Sequence, residues 1–297
     1  GRDAIFRFQS GLDNSASVGI SFGTTDVFGD VTNQASGTIA ASGNSNVTFY
    51  DDVDNDGTIQ VSTGSSAVYF GAVTGTGNFP GGGTNFFEGD LRPGASPAEI
   101  DFGGDVVFGA IATLEAEIAG TDPGIEFDVL DIDGTVDLAG TLEVLLLGYN
   151  PVLGDSFEII SADGGVSGSF TSELLPGLDP GLMWSVNYGS NNVVLEVLSD
   201  APEADFDDDG FVTGLDFLIW QAGFGLSGSA TNADGDADFD TDVDSDDLAV
   251  WTAQYGSSIP QSSAVAVVPE PSTVWLLFSL VGLIQGLRRR EGMGHFE

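Results

Sequence analysis

Apolar and polar residues alternate in short runs through the first two-thirds of the chain, with Gly, Thr, Ser and Asn between them. Alternation with a period of two marks half-buried strands. The runs also recur. Gly37-Thr38-Ile39 returns as Gly57-Thr58-Ile59 and, more loosely, as Gly77-Asn78-Phe79, a spacing of 20 residues. In the same phase Val47-Thr48-Phe49-Tyr50 aligns with Ala67-Val68-Tyr69-Phe70, and Val53 with Val73. Looser echoes follow in Phe86-Phe87-Glu88-Gly89-Asp90-Leu91 and Phe102-Gly103-Gly104-Asp105-Val106. A repeat this short cannot bury its own apolar face, so its copies must stack. β-Branched and aromatic runs with Gly or Asn-Asp-Gly at the corners favour a parallel β-solenoid over residues 1–90. The alternative, an antiparallel sandwich, needs longer strands and no strict period.

Over 91–198 the strand-like runs become longer and more apolar, at 112–119, 127–130, 141–147, 156–161 and 192–198. This part is expected to be the β-rich C-terminal part of the solenoid and its cap, covering the last open edge of the stack. Residues 31–197 resemble the Gly-rich β-helical ectodomains of planctomycete-type surface proteins, whose repeats are similar to autotransporter-associated repeats. The resemblance rests on that texture, on Pro93-Gly94-Ala95-Ser96-Pro97 and on Gly140-Thr141-Leu142-Glu143-Val144. It implies an architecture and no ligand.

Composition narrows the chemistry. The chain has no Cys, which excludes disulfides, zinc fingers and thiol nucleophiles, and its single His is His295. Its six basic residues are all Arg (Arg2, Arg7, Arg92, Arg288, Arg289 and Arg290), against 46 acids and a net charge of −40. Such a chain repels nucleic acid and attracts cations. It begins with Gly1 and no leader follows, so the sequence reads as a fragment or as lacking its natural start.

The acids concentrate between Asp200 and Gly256, where 15 occur without one base. Apolar residues interrupt them at fixed spacing, which argues against a solvated tail. A calcium loop supplies ligands from positions 1, 3, 5, 7, 9 and 12. Starting at Asp205, these are Asp205, Asp207, Asp209, the Phe211 carbonyl, Thr213 and Asp216, with Gly210 at the sharp turn and apolar Val212 at position 8, ready to pair with a partner loop. The pattern returns 31 residues later as Asp236, Asp238, Asp240, Asp242, Asp244 and Asp247. There Thr241 replaces the glycine, and a β-branched residue resists positive φ. Each loop leads into an apolar helical run, and Trp220 and Trp251 are equivalent. Loop then helix, twice, resembles a type I dockerin module over 205–256. The resemblance implies two bound Ca²⁺, and it does not carry over the cohesin partner. Cohesin recognition often uses a Ser-Thr pair before position 12, whereas this chain has Gly214-Leu215 and Ser245-Asp246. An upstream segment, 52–63, imitates the start of such a loop but has Thr63 at its end, and reads as an Asp-Gly turn.

After a small, polar linker at 258–268 comes Pro269-Glu270-Pro271, then apolar residues 274–287, then Arg288, Arg289 and Arg290. The apolar run is shorter than the about 20 residues of a comfortable membrane span. Over 269–290 the tail resembles the PEP-CTERM sorting signal, which implies processing by an exosortase-type enzyme and a C-terminal hydrophobic helix as a temporary membrane anchor. The expected molecule is therefore mainly β: a parallel β-solenoid with a β-rich cap, then a small all-α paired calcium-loop domain at 199–257, then the tail. Its expected role is a non-catalytic, exported cell-surface or matrix protein that docks a cohesin-like or polysaccharide partner. The alternative is an accessory or truncated part of a dockerin-bearing, β-helical polysaccharide lyase or hydrolase.

Overall fold

The computed structural model describes residues 3–94 and 97–258. The chain is mainly β over this span, with two short α-helices near its end. The sorting-signal residues Pro269, Glu270, Pro271, Arg288, Arg289 and Arg290 lie outside the described residues. Among the described residues no helix is long and apolar enough to cross a membrane.

The strands pair chiefly in parallel ladders. The longest runs Ala4–Arg7, Ser17–Phe28, Thr38–Phe49, Ser66–Tyr69, Thr84–Phe87, Asp105–Phe108, Thr135–Leu138 and Gly165–Gly168, every neighbour parallel. A shorter one stacks Leu12–Asn14, Val31–Asn33, Val53–Asn55 and Val73–Thr74. A third holds Thr113–Ile118, Thr141–Leu146 and Ser172–Leu174. In the fourth, Glu99–Phe102, Val129–Ile132 and Ser156–Ala162 are parallel, and Asn192–Ser199 with Leu182–Tyr188 closes it antiparallel.

The register follows the sequence repeat. Ile39 pairs with Ile59, Val47 with Ala67 and Val53 with Val73. Further along the stride lengthens, Val106 facing Val136 and Val136 facing Val166. Parallel pairing thus continues well past residue 91 and reaches Leu174, and the antiparallel closure is confined to the final hairpin.

In-register stacking puts like side chains over one another. Phe49, Tyr69, Phe87 and Phe108 form a buried column with ring centroids 5.2, 5.1 and 5.6 Å apart. Rings at this spacing gain from offset stacking as well as from burial. Asn14, Asn33 and Asn55 form a second buried column, each amide Nδ2 donating to the next Oδ1 at 2.7 Å where the pair is bonded. The amide ladder satisfies its donors up to the last, Asn55 Nδ2, which is buried without a partner. On the outside, acids bond one turn onward. Asp52 accepts from the Ala72 N–H at 2.9 Å, Asp54 from Thr74 Oγ1 at 3.3 Å and Asp56 from the Thr76 N–H at 3.3 Å. The calcium-loop look-alike at 52–63 is therefore used up in inter-turn bonding.

Candidate metal centre

The acidic block folds as two copies of one local design. Helix α1 spans Gly214–Gly223 and α2 spans Ser245–Gln254. Each begins at a capping box that the loop itself supplies: Thr213 with Asp216, and Asp244 with Asp247. A side chain at the N-cap satisfies helix N–H groups that have no partner within the helix, and a carboxylate in the first turn faces the positive end of the dipole.

The position-12 carboxylates also hold the loops shut. Asp216 accepts from the Phe206 N–H through Oδ1 and from the Thr213 N–H through Oδ2, both at 2.7 Å. Asp247 repeats this with Ala237 at 2.6 Å and Asp244 at 2.7 Å. Position 1 turns the loop back: Asp205 Oδ2 accepts from Gly210 N–H at 2.8 Å, and Asp236 Oδ2 from Thr241 N–H at 2.9 Å. Position 5 closes a smaller turn, Asp209 accepting from Phe211 and Asp240 from Asp242. All four bond types recur at the 31-residue offset read from the sequence.

The copies are locked crosswise. Trp251 Nε1, from the second repeat, donates to the Thr213 carbonyl of the first loop at 2.9 Å. Trp220 Nε1, from the first repeat, donates to the Asp244 carbonyl of the second loop at 2.7 Å. Position 8 behaves the same way. Val212 exchanges bonds with Gly256 and Ser257, and Val243 with Gly225 and Leu226. Position 8 was expected to pair each loop with a partner loop; each instead pairs with the segment after the other repeat's helix, and both valines are buried, Val212 within the small shared core. That core consists of Ala204, Phe206, Val212 and Ala237, flanked by Ile219, Trp220, Val250 and Trp251. Gly223 is a close-approach position, since a Cβ there would collide with the Asp234 carbonyl oxygen.

Among the described residues the structure forms acidic clusters that could hold a metal ion. Carboxylate oxygens of Asp205, Asp207 and Asp216 lie within 4.8 Å of one another, as do those of Asp236, Asp238 and Asp247, and those of Asp242, Asp244 and Asp247. Asp205, Asp216, Asp236 and Asp247 are buried. Two full charges at that separation repel by about 3 kcal/mol at an effective dielectric of about 20, against about 1.5–3 kcal/mol returned by each hydrogen bond to a charged group. Burial, only partly offset by N–H groups of Gly210 and Asp209 and reinforced by Asp216, raises the Asp205 carboxyl above the ordinary range. Burial followed by the same kinds of neighbour raises Asp236, and burial with Asp240, Asp247 and Asp236 nearby raises Asp238. The donor set fits a hard cation for a second reason. Asp236 Oδ1, Asp238 Oδ1 and Asp242 Oδ1 are buried and no protein group donates to them. A bound cation would be held by these oxygens and by the paired position-12 carboxylates.

Asp209 and Asp240 stand in none of these clusters and cap their own loops instead. Thr213 is an N-cap, and the Phe211 side chain is exposed. Backbone φ is positive at Asp208 (54°) and Gly210 (86°), and again at Phe239 (63°) and Thr241 (72°). Thr241 is thus held in the left-handed region, where a side chain costs about 1–2 kcal/mol. Sequence reasoning passed over the tryptophans as ties between repeats; their equal position in both copies was the available signal. A further cluster, Glu99, Asp101 and Asp131, is exposed on the fourth ladder. There Asp101 lies in register with Asp131, and burial followed by neighbouring acids raises the Asp131 carboxyl. No protein-family model matches the chain, and no curated protein matches it.

Proposed function

We propose that this chain is a non-catalytic, exported surface or matrix protein whose β body is a parallel solenoid and whose C-terminal module folds around two Ca²⁺ ions. The observation that carries the calcium reading is the pair of loops that repeat one hydrogen-bond network at a fixed offset while leaving buried carboxylate oxygens without donors. The solenoid reading is supported by parallel ladders whose register advances by one sequence repeat per strand. Export and exosortase-type processing are supported by the tail pattern of Pro269-Glu270-Pro271, an apolar run and three arginines. External calcium suits weak sites, with affinities of order 10⁻⁴–10⁻³ M in extracellular modules.

A docking role is supported by an asymmetry between the repeats. The first exposes Leu215, Leu218 and Leu226, which with Asp207 and Asp234 line a shallow apolar cleft of about 430 Å³. The second has Asp246, Ala249 and Ser257 at the matching places. An apolar cleft suits a protein partner with an apolar face better than a polysaccharide.

Calorimetric titration of Ca²⁺ into the full chain tests the reading, with Asp216→Ala and Asp247→Ala alongside. Two binding events are expected, each variant losing one. A chain that takes up no calcium would reduce the acidic module to a solvated spacer.

A further inference from the structure

Resting on the reading of both loops as cation sites, we propose that the loops differ in the charge they select: the second, residues 236–247, prefers a trivalent hard cation of the lanthanide class over Ca²⁺ more strongly than the first. At ligand positions 1, 3, 5, 7, 9 and 12 the second loop carries six aspartates. The first has four, with Phe211 and Thr213 at positions 7 and 9. Geometry keeps the extra carboxylates close. Asp242 and Asp244 converge on Asp247, which also converges on Asp236 and Asp238, so five carboxylates form one connected cluster. In the first loop three converge.

The loops also differ in how their charge is met. Both oxygens of Asp205 accept backbone N–H groups. In the second loop Asp236 is 1% exposed, yet its Oδ1 has no donor, and buried Oδ1 atoms of Asp238 and Asp242 share that condition. All the buried, donorless carboxylate oxygens among the described residues belong to this loop. Attraction scales with the product of charges, so each added carboxylate favours a trivalent ion over a divalent one of similar size and the same oxygen preference. The positive φ of Thr241 weakens the second loop for every cation alike and cancels from the ratio of affinities. Carboxylate number does not cancel.

The tryptophans report on the loops through indole-sensitised terbium emission. Trp220 donates to the Asp244 carbonyl and Trp251 to the Thr213 carbonyl, so each indole touches the other repeat's loop, and which loop each one sensitises is fixed first with the Asp216→Ala and Asp247→Ala chains. The full chain is titrated with Tb³⁺ and back-titrated with Ca²⁺, as wild type, Trp220→Phe and Trp251→Phe. The expected Tb³⁺-over-Ca²⁺ preference is at least about tenfold higher for the signal assigned to the second loop. Because a tryptophan variant could lose its fold, Asp242→Asn with Asp244→Thr is measured by calorimetry with both ions, and should bring the second loop's preference down to that of the first. Equal or reversed preferences, or a double variant with an unchanged ratio, would overturn the proposal while leaving paired calcium binding intact. Binding of neither ion at either loop would sink the calcium reading and this inference together.

Discussion

The β body and the acidic module carry similar aspartate-rich sequences and use them in opposite ways. In the body, Asp52, Asp54 and Asp56 face outward and bond to the next turn, while the interior is filled by stacked rings and amides. In the module, Asp205, Asp216, Asp236 and Asp247 face inward, and the apolar core is reduced to Ala204, Phe206, Val212 and Ala237 with four partly buried side chains around them. A continuous apolar column stabilises the body through burial and ring stacking. A module whose centre is made of carboxylates gathers burial and like charge that its backbone N–H groups offset only in part, and a bound cation would relieve both. The same residue type fastens neighbouring repeats in one region and gathers into buried clusters in the other, and the residues beside it decide which.

The largest expected effect breaks the body alone. Phe87→Ala removes the middle of the buried aromatic column and should lower the body's stability by about 3–5 kcal/mol in urea unfolding. Calcium affinity should stay at the wild-type value. A parallel loss of calcium binding would show that the two regions are one cooperative unit.

A smaller effect sharpens the contrast by pH. Asp128 is the body's buried exception, accepting from the N–H groups of Ala98 at 2.6 Å and Glu117 at 2.8 Å. Burial outweighs these two bonds and pushes its carboxyl up to about 7. An unfolded aspartate titrates near about 3.9, so between these values the folded body holds the proton more tightly. Its contribution to stability is therefore full below about pH 4 and is lost as pH rises through about 7. Asp128→Asn cannot ionise and should remove that pH-dependent loss of a few kcal/mol, read from urea midpoints across the range. A wild-type slope of the opposite sign would contradict the assignment.

The smallest effect lies in the second loop. Thr241→Gly relieves the left-handed strain and should strengthen calcium binding there by about 1 kcal/mol, leaving the first loop unchanged in calorimetry. Weaker binding in the glycine variant would mean that threonine is favoured where it stands.

Much of this was legible from the chain alone, for identifiable reasons. The 20-residue repeat was visible because parallel strands paired in register need the same residue types at the same positions, so Ile39 and Ile59, or Val53 and Val73, meet as the spacing implies. The later, longer stride was missed, although Asp133-Gly134-Thr135-Val136 returns as Asp163-Gly164-Gly165-Val166 and Thr113-Leu114-Glu115 as Thr141-Leu142-Glu143, because its spacing departs from 20 residues. The asparagine column was missed, although an apolar-x-Asn triplet recurs at Leu12-Asp13-Asn14, Val31-Thr32-Asn33 and Val53-Asp54-Asn55. In the module, loop spacing and helix starts could be read because ligands and caps are local. The crosswise exchange of Trp220 and Trp251 could not, because it depends on how the two repeats face each other.

Hydrogen exchange on the full chain, with calcium and then with EDTA, tests most directly whether the module folds around its ion. The N–H groups of Phe206, Thr213, Ala237 and Asp244, all bonded to position-12 carboxylates, should be protected with calcium and exchange freely without it. Those of Val53 and Val73 in the β body should be protected in both conditions. Equal protection of the four loop amides with and without calcium would contradict the account.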